Sequence, residues 1–343
     1  MRAFFRPFWK ASNNYDEIDS DEPDLESGRK SRRSRRSITD WRNMLHFLRL
    51  RLQQGRKPSF ISHILYTLIV LSVLLFLLVF GRQLRFKLSE KEVTLPIKHY
   101  PYGSLSNLVT VAGHSVYTSH KCQSVEGESS WYLESYQRHA GQAASFVQHI
   151  RAGTEAAAHD DDALLIFSGG ETRKEAGPRS EAQSYWSVAD SKDWFGMKDV
   201  KWRALTEEHA RDSYENLLFS ICRFRELTGH YPHNITVVSY SFKEHRFSQL
   251  HRAAIRFPAS RFMYVGTPPS VLAAASAAEG ELRVQEQFQN DPYGCTGSLQ
   301  QKRWKRDPFL RTIPYPAGCP EIADLFSYCG KDLYDKELPW NKV

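Results

Sequence analysis

Lys243 and Arg246 stand where neither core packing nor helix electrostatics favours a cation. Ser241 followed by Glu244 has the capping-box spacing, in which each side chain satisfies a free backbone N–H of the first turn, so a helix is predicted to begin at Phe242. At about 100° per residue, Phe247, Leu250, Ala254 and Phe257 share one apolar stripe, with Lys243 in its middle and Arg246 at its edge. A cation in a first turn also opposes the positive end of the helix dipole, at roughly several tenths of a kcal/mol. Both costs are offset if an anion lies opposite, gripped by the two side chains and the free first-turn N–H groups. The competing reading is that the two cations snorkel to water, or pair with Glu181 or Glu207 in a structural bridge.

Other candidates follow apolar runs in the same way. Ser168-Gly-Gly-Glu171 closes one such run, and Gly169 and Gly170 would let the backbone approach a ligand. Arg173, Lys174 and Arg179 make the ensuing loop electropositive. Glu181, in the first turn of a predicted helix, and Glu207, at the end of a short strand, are the candidate general bases. A first-turn carboxylate also complements the helix dipole with no chemistry involved. Glu215 and Asn216 fall off the apolar stripe Tyr214, Leu217, Ile221, Phe224, and periodicity alone leaves them solvated. His114 follows another strand and is a candidate ligand-binding residue. His159-Asp-Asp-Asp162 reads as a turn rather than a metal site. No Walker loop, GxGxxG, HExxH or GxSxG occurs, so the common nucleotide, zinc-protease and serine-hydrolase signatures are missing. No metal ligand set is predicted, and the residues name no cofactor.

The elements that must position these residues alternate. Strands are predicted at 108–112, 163–168, 201–205, 234–239 and 261–266, and helices at 130–152, from Ser180 with Gln183 as capping partner, at 209–228, 242–257 and 270–288. Such alternation specifies an α/β fold, a Rossmann-like and mostly parallel sheet with helices on both faces. In that architecture ligands bind beyond the strand C-termini near the topological switch point, where His114, the Gly169–Glu181 loop, Glu207 with Glu208 and the Ser239–Arg246 segment are placed.

Ahead of the domain lies a different kind of sequence. No charged residue occurs between Lys57 and Arg82, a run long enough to cross about 30 Å of hydrocarbon. It starts too far from Met1 and is too long for a cleaved signal peptide. The organisation predicted is a tail at 1–58, a transmembrane helix at 59–81, a linker at 82–103 and the α/β domain at 104–343. The chain's net charge of +7 is uneven: residues 1–28 carry three Lys/Arg against seven Asp/Glu, while residues 29–57 carry eleven against one. The basic excess therefore belongs to the tail, which speaks against a nucleic-acid domain and for a lipid bilayer as partner. Blocks of like charge with few apolar residues predict a solvated tail; Phe4, Phe5, Phe8 and Trp9 would add membrane contact. The basic residues close to the span tie on its two sides, and the 32–36 arginine cluster with Arg42 tips the positive-inside balance toward a cytosolic N-terminus and a domain lumenal in an endomembrane, with which the sequon Asn234-Ile-Thr236 agrees. None of the five cysteines has CxxC spacing. Cys222 reads as packing, and two of Cys295, Cys319 and Cys329 could pair outside the cytosol, leaving at least one thiol free.

The post-strand segments together resemble the SanA/YdcF-like family over roughly residues 107–267. The carriers are Ile166-Phe-Ser-Gly-Gly170, Ser180-Glu-Ala182, Glu207-Glu-His-Ala-Arg-Asp-Ser-Tyr-Glu-Asn216 and Val237-Val-Ser-Tyr-Ser-Phe-Lys-Glu-His-Arg246. The third is the most specific, and the resemblance raises Glu207, Glu215 and Asn216 above what periodicity gives them. Lys243 stands where bacterial members usually carry histidine, and the first strand ends Ala-Gly-His without the usual aspartate, as in the fungal branch. The resemblance implies a Rossmann-like domain, often behind one membrane anchor, and no settled reaction. The expectation is a hydrolase or transferase acting on an anionic small molecule or glycan. Lys243, Arg246, Gly169 and Gly170 would hold the anion, with Glu181 or Glu207 as base. The alternatives are a non-catalytic ligand-binding module and a membrane scaffold.

Overall fold

The computed structural model describes residues 60–89, 100–120 and 124–342, with the side chains of 81–89 left aside. The tail at 1–58 with its arginine cluster and aromatic residues, linker positions 90–99 and Cys122 lie outside the described residues. The chain divides into two units, Met1–Thr94 and Leu95–Val343.

In the first unit, helix α1 (Phe60–Ser89) carries one candidate span, Phe60–Phe80, with mean hydropathy 2.7. It is apolar on every face, which suits lipid on all sides and not an amphipathic seat on a protein core. The helix continues to Ser89, so its backbone extends into the predicted linker.

In the second unit five strands form one wholly parallel sheet: β1 (Asn107–Ala112), β2 (Ala163–Ser168), β3 (Ala204–Glu207), β4 (Asn234–Tyr240) and β5 (Phe262–Thr267), in the spatial order β3-β2-β1-β4-β5. Helices α2 (Gln142–Ala158), α3 (Glu181–Ser191) and α4 (Ser213–Thr228) make the crossovers. The α/β fold read from the sequence is the one found. β1 and β2 are buried on both faces, which is why they appear in the sequence as near-continuous apolar runs. Alternate residues supply two cores. Val109, Val111, Leu165 and Phe167 pack with Phe146, Ile150, Tyr185 and Trp194 beneath α2 and α3. Leu108, Leu164, Ile166, Ile235 and Val237 pack with Leu217, Ile221 and Phe224 of α4.

Past β5 the chain adds α5 (Ala274–Asn290), α6 (Gly297–Lys305) and α7 (Ala323–Ser327). Phe288, Tyr293, Leu299, Ile322, Leu338 and Trp340 extend the α4-side core. Two disulfides fasten this segment: Cys222–Cys319 ties it to α4, and Cys295–Cys329 closes it on itself. Cys222 is therefore a cross-link and not mere packing, and no thiol is left free among the described cysteines.

Two local expectations are corrected. Residues 198–203 form a 3-10 turn, and β3 starts only at Ala204; the apparent strand from Lys201 arose because Trp202 alternates with charged residues, yet its ring is exposed. The helix predicted from 130 begins at Gln142, after short 3-10 turns at 128–130 and 135–137. Asn234 of the sequon opens β4 half-buried, and its side-chain amide donates to Asn107 Oδ1 at 3.0 Å across the sheet.

Candidate anion-binding cavity

β1, β2 and β3 run to one side of the sheet, and β4 returns to the other side of β1. The β1/β4 border is thus the switch point, and above its carboxyl ends opens a cavity of ≈ 580 Å³. Its floor is Ala112, Gly113 and His114 after β1, and Tyr240, Phe242 and Lys243 after β4. Lys243, Arg246, Arg173, Arg283, Lys302 and Arg306 line it, against two carboxylates, Glu181 and Glu281.

The segment after β4 is helical but not as its sequence predicts. It starts as a 3-10 turn at Ser241–Lys243 with Tyr240 as N-cap and no side-chain cap, so the Ser241/Glu244 capping box does not form. From Arg246 to His251 it is a π-helix, whose wider turn shifts the register of the stripe. Phe247, His251 and Ala254 are buried, Leu250 is only half-buried, and Arg246 turns from the edge of the stripe to a buried position.

Arg246 pairs with Glu281 of α5 at 2.9 Å and donates to Ser213 Oγ at 3.0 Å, so its carboxylate is neither Glu181 nor Glu207. Its Nε–H is buried without a partner among the described residues. Lys243 Nζ lies 5.3 Å over the Tyr240 ring and 3.4 Å from His114 Nδ1, and it has no ion-pair carboxylate among the described residues. Burial, then the charge of Arg246, holds its ammonium well below the usual lysine value. His114, also pushed down by burial and then by Lys243, is neutral. It can accept from Lys243 at Nδ1 and donate from Nε2 to Ser239 Oγ at 3.0 Å.

Lys302 repeats the theme from α6. It too lacks an ion-pair partner among the described residues, and burial with Arg306 and Arg246 nearby brings its ammonium down to about 7. Sequence reasoning missed Lys302, Arg306 and Arg283. Lys302 and Arg306 sit at i,i+4, where like charges repel on one helix face, and that spacing was the available signal.

The carboxylates divide. Glu181 reaches the cavity; its Oε1 accepts from Thr172 Oγ1 and lies 3.8 Å from Arg173. Its helix is capped as predicted, Ser180 Oγ accepting from Gln183 N at 2.9 Å. Glu207 does not line the cavity. It accepts from Ser168 Oγ at 2.7 Å and His209 N at 2.7 Å, and burial pushes its carboxyl up to about 7. Asn216 does face the cavity, and its Nδ2 donates to the same Ser168 Oγ at 3.0 Å. The chain Glu207–Ser168–Asn216 orients the cavity wall from behind.

Glu215 is spoken for elsewhere: Arg211 binds it at 2.7 Å and Arg303 lies at 3.4 Å, both away from the cavity lining. Nor do Gly169 and Gly170 offer N–H groups to an anion. Gly169 N donates to Glu207 O at 3.0 Å and Gly170 N to Ala210 O at 2.7 Å. Their glycines serve close packing instead. A Cβ on Gly169 would come within 2.9 Å of Glu181 Cβ, and one on Gly113 within 2.7 Å of the same atom. These two positions let Glu181 press into the switch point. Of the residues predicted for ligand and catalysis, His114, Glu181, Asn216, Lys243 and Arg246 converge on the cavity, whereas Glu207, Glu215, Gly169 and Gly170 form the structure behind it.

The chain is similar to the uncharacterized protein YOR238W of Saccharomyces cerevisiae, 29% identical over 230 residues that span 54% of this chain and 76% of the yeast one. No family model matches the chain. No solved structure matches it significantly either.

Proposed function

We propose that the Leu95–Val343 unit binds a phosphorylated or otherwise polyanionic small molecule and acts on it as a hydrolase or transferase, from a single-pass anchor. The observation that carries this reading is the pair Lys243 and Lys302, two lysines without ion-pair carboxylates among the described residues that face one cavity beside Arg246 and Arg306. Burial and mutual repulsion make this arrangement costly in the free protein, and an anion with several oxygens relieves both terms at once. The resemblance to SanA/YdcF-like domains fits the same reading, since Glu207 and Asn216 of its most specific segment brace the cavity wall. Glu181 is the carboxylate placed for proton transfer. Glu207 acts through Ser168 and Asn216.

Two disulfides suit an oxidising compartment, and the arginine-rich segment before the span suits the cytosolic side. Both support a lumenal domain with a cytosolic N-terminus. A second reading, recognition without turnover, draws on Glu181 and Glu281, which are already held by Thr172 with Arg173 and by Arg246.

Thermal shift of the full chain in detergent separates these readings, using inorganic phosphate, pyrophosphate, sugar phosphates and nucleotides. Pyrophosphate is expected to raise Tm in the wild type and to do so far less in Lys243→Ala. No shift with any phosphorylated compound, or an equal shift in the variant, would overturn the anion site. Intact ligand recovered after long incubation would favour recognition alone.

A further inference from the structure

Ser213 opens α4 directly after its N-cap Asp212, and it faces the cavity half-exposed. Its Oγ has two partners: His251 Nε2 at 2.8 Å and Arg246 Nη1 at 3.0 Å. A guanidinium can only donate, so Arg246 occupies a lone pair of Oγ. One lone pair and the hydroxyl proton remain, and the proton meets Nε2 when His251 carries its own on Nδ1, the tautomer in which Nε2 is the acceptor. Burial, then Arg246, holds this imidazole well below its usual value, which keeps the ring neutral at neutral pH. We propose that Ser213 is the nucleophile of this cavity, that His251 is its general base and that phosphoryl groups are what it attacks. This deepens the reading of the cavity as a phosphoryl-ligand site and rests on it.

Three features go beyond a structural Ser–His hydrogen bond. His251 is fully buried among Phe247, Phe288 and Tyr214, where an aromatic hydrocarbon would pack equally well. Its Nδ1 has no partner among the described residues, an uncompensated polar burial that costs on the order of 1–3 kcal/mol. The imidazole is thus held at a cost that its contact with Ser213 would justify. Arg246 and the positive end of α4 both favour negative charge on Oγ, as a nucleophile requires.

In the first half-reaction Oγ attacks phosphorus of a phosphate ester and its proton passes to His251 Nε2. The Oγ–P bond forms and the ester P–O bond breaks. Its electron pair leaves on the alkoxide, which takes a proton from water. The hydroxide so produced adds to phosphorus in the second half. The Oγ–P bond then breaks, inorganic phosphate departs and Oγ recovers its proton from His251.

A fluorophosphonate tests this without knowledge of the natural substrate, since an activated serine displaces fluoride from phosphorus by the same step. Labelling of the full chain, located by peptide mass spectrometry, is expected at Ser213, slowed by pyrophosphate. It should be absent in Ser213→Ala and at least tenfold slower in His251→Phe, while both variants keep a single cooperative thermal transition as proof of a folded domain. No adduct at Ser213, or labelling unchanged in His251→Phe, would overturn the nucleophile. Should His251→Phe fail to fold, His251→Gln supplies the same comparison. Loss of the pyrophosphate shift in the wild type would instead refute the anion cavity itself, so the two failures are distinguishable.

Discussion

At the scale of single residues, the cavity is governed by groups whose charge is disfavoured where they stand. Lys243 and Arg246 were legible because a cation in a first turn and on an apolar stripe breaks two rules at once. Glu207 was legible as an end-of-strand carboxylate, a reading the resemblance strengthened, but its position behind the cavity was not, because no pattern in the chain says which way such a carboxylate turns. Its folded carboxyl titrates near 7 against about 4.5 in the unfolded chain, raised by burial. Between those values the folded state binds more protons than the unfolded one, so stability attributable to Glu207 is full below pH 4.5 and is lost as pH rises through 7. Glu207→Gln keeps an acceptor for His209 N and removes the titration. The variant is expected to match the wild type near pH 5 and to exceed it by roughly 2–3 kcal/mol at pH 9, as read from urea unfolding. Parallel pH profiles for the two proteins would show that Glu207 does not carry this burden.

At the scale of elements, buried parallel strands announce themselves and irregular helices do not. β1, β2 and β4 appear as near-continuous apolar runs because both faces are covered. The segment from Lys201 alternates like a strand yet is a 3-10 turn, since local pattern cannot reveal that Trp202 has no core to enter. The π-helix at 246–251 is equally silent in sequence, yet it buries Arg246 and His251 together and so makes the link through Ser213 possible. The approach of α3 to β1 and β2 depends on Gly113 and Gly169. Gly113→Ala places a Cβ 2.7 Å from Glu181 Cβ, so the first turn of α3 must retreat. Overpacking of this kind costs about 1–3 kcal/mol, and the displaced Glu181 should weaken any turnover beyond that loss of stability. A Gly113→Ala protein with wild-type Tm would mean that the helix is not held so closely.

At the scale of the whole molecule, the sequence divides into a candidate membrane span and an α/β unit because charge and hydropathy change abruptly. Its C-terminal third was hardest to read. Arg283, Lys302 and Arg306 come from helices with no motif, packed onto the sheet through contacts distant in the chain. Cys222 and Cys319 are 97 residues apart, and nothing in their spacing links them. A cross-link of that separation constrains the unfolded chain by about 4–5 kcal/mol. Cys222→Ser with Cys319→Ser should therefore lower Tm by many degrees and loosen the α6 wall that carries Lys302. An unchanged Tm after selective loss of this bond would separate the C-terminal segment from the stability of the sheet.

The cationic cavity is tested most directly by calorimetric titration of the full chain with pyrophosphate at low ionic strength, compared with a Lys243→Ala/Lys302→Ala variant. One binding event per chain is expected in the wild type, with affinity at least tenfold weaker in the variant and falling with added salt in both. Equal affinity in the two proteins, or no binding in the wild type, would contradict an anion site at the β1/β4 border.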